Sequence, residues 1–307
     1  MFVDKKRVQR NKQLDKFFKC FFMAMAILSS SFIVIIVLFV CAKGISPFMP
    51  GYEYGQVDLI SFLTGSMYRQ DQGIYGIGFI VINTLISAFL ALLLSFPISV
   101  LTALFIAKIA PKRLSGIMQS VVELLASVPS IVYGVFAAGV ITEMVKSIAT
   151  AFNIATFGGS SLLAVVLLLA IMIFPTLTSM SITAIRAVDS DLEKASLALG
   201  ATKTQTNFKV VLIAAKSGIF AGAILGLGRA FGEATAVAMV AGNKLFGPTF
   251  DPFDITRTLT STMLAGLKET TGLDYDIRFS VGLVLIIVIF FSNWILNIVK
   301  KKVGNNV

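Results

Sequence analysis

Gly222-Ala-Ile-Leu-Gly-Leu-Gly-Arg-Ala-Phe-Gly-Glu-Ala-Thr-Ala-Val-Ala-Met-Val-Ala-Gly-Asn243 reads as a membrane-spanning stretch with two charges, Arg229 and Glu233, near its middle. A charge at the bilayer centre costs roughly 2.5–3.5 kcal/mol even on lenient insertion scales, so both groups have to face protein or water. The i, i+4 spacing sets Arg229 and Glu233 on one helix face. Gly222 and Gly226 continue that face, and Gly228 and Gly232 flank it. The expectation is a smooth groove holding a paired charge, on a helix that meets another helix rather than lipid.

Composition supports the membrane reading. The 307 residues are 56% hydrophobic and only 14% charged, with mean hydropathy +0.88, where soluble domains carry about 25% charged residues. Lipid admits only helices or a closed barrel. The apolar runs are continuous rather than alternating, so the expected class is an all-α polytopic membrane protein. The net charge of +10 does not indicate nucleic acid, because the basic residues cluster at segment ends, where insertion places them. With no His in the chain, no metal site is expected, and no cofactor. Cys20 and Cys41 bracket the first apolar run about 30 Å apart on one helix, too far to bond. That run exceeds a signal-peptide core and lacks a small-residue cleavage pattern, so it reads as a retained anchor.

Six apolar segments can be placed, at 20–42, 77–107, 117–142, 161–184, 218–241 and 278–299. The positive-inside rule groups the N-terminal tail, Lys108 to Arg113, Arg186 to Lys216 and Lys300-Lys-Lys302 on the cytoplasmic side. Both termini are therefore expected in the cytoplasm. The organisation expected is a basic tail (1–19), a first transmembrane helix (20–42), an external loop (43–76), a core (77–300) with a cytoplasmic loop at 186–216, and a short tail (301–307). The external loop should hold one short helix near 57–63. Asp251-Pro252 signals a turn, with an interfacial helix from Ile255 to Glu269. Pro97, Pro129 and Pro175 fall inside spans, where neighbours can satisfy the freed carbonyls.

The cytoplasmic loop has its own signals. Ser190 with Glu193 three residues on makes a capping box for a helix from Asp191 that stops at Gly200, a good C′ residue. A second short helix follows, from Lys203 to Leu212. Together they make a compact knob on which a soluble motor can push. The segment resembles the coupling loop of ATP-binding-cassette importer permeases, whose pattern is Glu-Ala-Ala, three residues, Gly, nine residues, then Ile-x-Leu-Pro. Here Lys194-Ala195-Ser196 stands in the Glu-Ala-Ala place, Gly200 aligns, and Val210-x-Leu212-Ile213 closes it. The Glu becomes Lys194, with Glu193 one residue off, and the Pro becomes Ile213. Gly228-Arg-Ala-Phe-Gly-Glu-Ala-Thr-Ala-Val237 with Gly242-Asn243 is similar to the span-five signature of phosphate importer permeases, the PstC branch rather than the PstA branch. Glu123-Leu-Leu-Ala-Ser-Val-Pro-Ser-Ile-Val-Tyr-Gly134 is similar to the span-three motif of the same family.

The resemblance implies a type I ABC importer permease fold in the bacterial inner membrane, and one half of a phosphate pathway. It also implies the partners: a PstA-like sister permease, two PstB-like cytoplasmic ATPases and a PstS-like extracytoplasmic phosphate-binding protein. The chain itself should not be an enzyme. Gly200-Ala-Thr-Lys-Thr204 lacks the Walker A spacing, so ATP hydrolysis belongs to another polypeptide. A sulfate or molybdate permease is the alternative within the class, and an ATP-independent channel or carrier the alternative outside it.

Within that reading Arg229 and Glu233 are pathway candidates, Arg229 lowering the barrier for an anion and Glu233 holding and partly neutralising it. A purely structural ion pair is the competing reading. Ser127, Ser130 and Tyr133 supply hydroxyls that can line the path or bond backbone carbonyls around Pro129, and the residues alone leave both open. Glu123 is expected to pair with Lys112 or Arg113, a bearing on the gate being the competing reading. Asn83 and Thr84 read as interhelical glue. Glu193, Lys194, Ala195, Ser196, Gly200 and Leu212 carry the coupling role. Gly222, Gly226, Gly228 and Gly232 suit close helix packing near a two-subunit axis.

Overall fold

The computed structural model describes residues 5–304, with side chains from 14 to 302. Six of its helices are long and apolar enough to cross a membrane. α1 (Lys5–Ile45) leads to α2 (Leu59–Thr64), which starts where the Asp58 carboxylate accepts the Ser61 N–H at 2.7 Å. This is the short helix expected near 57–63. A two-residue hairpin follows, β1 (Tyr68–Arg69) against β2 (Ile74–Tyr75), with Tyr68 opposite Tyr75. Next come α3 (Gly78–Leu104), α4 (Lys112–Ser127), α5 (Ser130–Phe136), α6 (Thr142–Ala151) and α7 (Leu162–Arg186). The remainder is α8 (Ser190–Ala198), α9 (Lys203–Thr206), α10 (Leu212–Gly232), α11 (Thr235–Val240), α12 (Leu259–Leu264) and α13 (Leu273–Gly304).

Six consecutive crossings bring both described ends of the chain to one face of the bundle, here termed basal, together with α4 and α8. The opposite, apical face carries α2, the hairpin and α12. α7 is the hub, packed between α3 and α10, and 67% of its most apolar window is buried. In lipid no hydrophobic drive joins helices, so small residues that allow close approach decide the packing. α3 supplies such a stripe: Ala88, Ala91, Ser95, Ser99 and Ala103 are all buried. α1 instead runs along α13 at the edge, and Gly44 is required there. A Cβ at that position would lie 2.8 Å from the Phe279 carbonyl oxygen.

Two spans differ from their sequence expectation. The third, read as 117–142, is broken at Val128-Pro129, and the crossing runs Ser130–Ala151. Val128 is extended (φ −63°, ψ 128°), as a residue before proline prefers. Pro97 and Pro175, by contrast, lie inside α3 and α7, which continue through them. The fifth, read as 218–241, is one helix from Lys203 to Gly232, ending nine residues earlier than read. The expected second short helix of the knob is therefore the base of this span. The expected interfacial helix over 255–269 contracts to α12, whose Leu259, Thr260, Ser261 and Thr262 are buried. Asp251 makes the expected turn, accepting the Phe253 N–H at 2.9 Å. Asn83 and Thr84 hold loop backbone rather than another span: Asn83 accepts the Thr249 N–H at 3.1 Å and Thr84 accepts the Leu259 N–H at 3.0 Å.

Candidate functional site

The break in span five sets the geometry of the first candidate site. Glu233 is extended (φ −77°, ψ 114°), past the last helical residue, so helical spacing no longer relates it to Arg229. Its carboxylate turns to α11 and accepts the Ala236 N–H at 3.0 Å, a placement that suits the positive end of that helix. Its carbonyl oxygen accepts the Thr260 hydroxyl at 2.7 Å. Arg229 turns the other way and donates from Nη1 to Thr176 Oγ1 on α7 at 3.1 Å. The expected shared face and paired charge are thus corrected: among the described residues no ion pair joins Arg229 to Glu233. Both are half-buried. Arg229 is a fixed cation in the last turn of span five, held by one neutral hydroxyl.

The glycines divide. A Cβ at Gly222 would lie 2.9 Å from Met180 Cβ and one at Gly226 3.7 Å from Ile173 Cβ, both against α7. Around Gly228 and Gly232 nothing among the described residues lies within 4 Å of that position, so these two keep an open surface beside Arg229. On span three, Ser127 Oγ donates to the Leu124 carbonyl at 2.7 Å and Tyr133 OH reaches back over Pro129 to the Leu125 carbonyl at 2.8 Å. For these two the structure favours carbonyl bonding. Ser130 opens α5 and is half-exposed. Tyr133 also lines an apolar cavity of about 290 Å³ with Ser95, Leu125 and Phe174.

The basal knob forms as a helix, a glycine and a helix. Asp189 caps α8 by accepting the Asp191 N–H at 2.9 Å, so the cap is Asp189 and not Ser190. Gly200 (φ +85°) closes it. Its N–H bonds the Leu197 carbonyl at 3.0 Å while Ala201 N–H bonds that of Ser196 at 3.2 Å, the paired bonds of a Schellman stop. Thr202 and Gln205 then make a reciprocal capping box that starts the next helix. Glu193 pairs with Lys108 at the end of span two, Ser196 Oγ lies 2.9 Å from Thr206 Oγ1, and Lys194 bonds Asp191 at 2.8 Å. Ala195 is exposed and Leu212 half-buried, while Leu199 stands 89% exposed at the tip. Glu123 accepts from Gln119 at 2.8 Å, whose Oε1 accepts from Arg186 at 2.9 Å. The expected partners Lys112 and Arg113 do not bond it.

Sequence reading missed three groups. Thr176 sits one residue after Pro175 and carried no signal of its own. Lys108 passed for an orientation charge. Arg257 and Arg278 are 6% and 2% exposed, yet read as loop and segment-boundary residues. The dense hydroxyls of Thr256-Arg-Thr-Leu-Thr-Ser-Thr262 were the available clue.

Residues 95–305 match the family described as binding-protein-dependent transport system inner membrane component. The chain belongs to this family. It is an importer permease subunit of ABC type, an integral protein of the bacterial cytoplasmic membrane. The permease is 34% identical over 287 residues to the probable ABC transporter permease protein YqgH of Bacillus subtilis, covering 92% of this chain and 90% of that one. It is 30% identical over 262 residues to the phosphate transport system permease protein PstC of Pasteurella multocida, covering 80% and 82%. Among solved structures it is similar to a bacterial alginate ABC transporter in complex with its periplasmic protein, with TM-score 0.61 at 18% identity, covering 94% of the permease and 97% of that chain. It is similar too to the inward-facing MetNI methionine transporter, with TM-score 0.51 at 20% identity, covering 74% and 94%. These structures share the fold and do not select a substrate.

Proposed function

We propose that this permease is the PstC-type subunit of an ATP-driven phosphate importer. It forms half of the pathway beside a PstA-like sister chain. A PstS-like binding protein delivers phosphate to the apical face, which lies outside the cell, and both termini lie in the cytoplasm. PstB-like ATPases drive the basal knob and carry the catalysis, so this chain is not itself an enzyme. The observation that carries the reading is Arg229, a permanently charged planar fork suited to an oxyanion. It lies in the last turn of span five beside the open surface of Gly228 and Gly232 and bonds one hydroxyl. The span-five signature around it and the PstC relatives support phosphate over other oxyanions. Leu199, apolar and exposed at the knob tip, supports a soluble partner there.

The test is uptake by proteoliposomes holding the complete transporter. Arg229→Ala should assemble normally and lose phosphate uptake. Undiminished uptake by that variant removes Arg229 from the pathway, and preference of the wild type for sulfate or molybdate overturns the substrate.

A further inference from the structure

Two arginines other than Arg229 are buried on the apical side, and their surroundings leave their charge unanswered. Arg257 precedes α12 and Arg278 lies in the first turns of α13. Both grip one residue: Arg257 Nε donates to Thr262 Oγ1 at 3.1 Å and Arg278 Nη1 to the Thr262 carbonyl at 3.1 Å. Arg278 also bonds the Ala265 carbonyl and, at 3.2 Å, Thr270 Oγ1. The Arg257 guanidinium lies 4.7 Å from the centre of the Tyr68 ring. Arg257 Nη1, Arg278 Nη2 and the Tyr68 hydroxyl are buried without a hydrogen-bond partner in the described chain, and Tyr68 is 1% exposed.

Acidic groups stand nearby but are engaged elsewhere. Asp274 accepts from Tyr75 at 2.7 Å, and Asp276 accepts from Tyr52 at 2.7 Å and pairs with Lys43 at 3.3 Å. Glu269 Oε2 and Arg278 Nη2 both lie within 4 Å of the point where a Cβ on Gly266 would sit. Still, among the described residues no carboxylate reaches either guanidinium at ion-pair distance. Burial holds the Arg257 pKa below its ordinary value, the Tyr68 phenol partly offsets this, and Arg278 lowers it further. Arginine nevertheless remains protonated in proteins, and two buried like charges repel. An isolated buried charge is costly unless paired.

We infer that Arg257, Arg278 and Tyr68 form a second oxyanion site, apical to Arg229 and separate from it. Its outstanding donors, two guanidinium N–H edges and a phenol, suit a small tetrahedral oxyanion that takes several bonds at once. The site adjoins the span-five break. Arg278 lines a cavity of about 370 Å³ with Gly232, Ala234 and Thr260, and Thr260 bonds the Glu233 carbonyl. An anion held here is staged one step from Arg229. The choice of phosphate as first probe rests on the proposed function, whereas the cationic site does not.

Calorimetric titration of the full chain in lipid nanodiscs with inorganic phosphate, and separately with sulfate, tests this. Saturable binding should persist in Arg229→Gln, and weaken about tenfold or more in Arg257→Gln or Arg278→Gln, the loss expected for a charged hydrogen bond. Tyr68→Phe keeps the ring and removes an oxygen that bonds nothing in the chain, so it tests the site without disturbing the fold and should weaken binding several-fold. Sulfate bound in preference to phosphate, with the same residue dependence, upholds the site and overturns the phosphate reading. No saturable oxyanion binding, or binding indifferent to all three substitutions, overturns the site.

Discussion

Lys108 on the turn after α3 and Glu193 on α8 form an ion pair whose side chains are only 18% and 25% exposed. The knob is thereby fastened to span two as well as to span five. Partial burial makes the link worth about 1–2 kcal/mol, above a surface pair and below a fully enclosed one. Lys108→Ala and Glu193→Ala should each lower the thermal midpoint. The double variant should lose less than the sum of the two, and a thermodynamic cycle with no coupling energy would show that the pair does no structural work.

The glycines of span five separate folding from assembly. Gly222→Leu drives a side chain into Met180 and Leu177, an overpacking worth about 1–3 kcal/mol, and should destabilise the isolated chain. Gly228→Leu starts from a position where a Cβ has no neighbour within 4 Å among the described residues. It should leave that stability alone and disrupt co-purification with a sister permease. Equal effects of the two on the isolated chain would contradict the division.

Leu199→Asp changes an almost fully exposed side chain, so stability should move by less than about 0.5 kcal/mol. Retention of the ATPase subunit on the membrane complex should fall. Unchanged retention would move the docking contact away from the knob tip.

Tyr75 joins the hairpin to α13 through Asp274. Burial first, then this hydrogen bond, raises its phenol pKa above the ordinary 10.0, and the same causes raise Tyr52 at Asp276. A raised folded-state pKa gives stability that is fully present below the unfolded value and lost as pH climbs past it toward the folded one. The apical loops should therefore loosen only above about pH 10. In an alkaline absorbance titration the wild-type minus Tyr75→Phe difference should lack tyrosinate through the normal range. Tyrosinate appearing near pH 10 in that difference would show the bond to be dispensable.

The crossings were legible because lipid demands continuous apolar runs, and these announce themselves at every span. The knob was legible because Gly200 and its flanking helix-formers are local signals. What lay hidden depends on partners distant in sequence. Pro129 breaks a helix while Pro97 and Pro175 do not, and only the packing of α3 on α7 distinguishes them. Glu233 leaves its helix without a proline or an asparagine to mark the exit, because Thr260 and the N-terminus of α11 receive it. Arg278 begins an apolar run, so it passed for the polar edge of a span, and its burial follows from Thr262, Ala265 and Thr270 folding over it.

The helix from Lys203 to Gly232 carries a consequence for how force is delivered. At 1.5 Å per residue it is a rod about 45 Å long. A π-helical turn at Asn207–Val211 sits near its base, and above that turn it runs unbroken to Gly232. Under the proposed function the rod is an oar: its blade is the basal knob, its handle is Arg229, and the oarlock is the grip of α7 on Gly222 and Gly226. With that fulcrum the arm to Arg229 is about 8 Å against about 30 Å on the knob side, so a broad sweep of the knob becomes a short, geared-down shift at the cation.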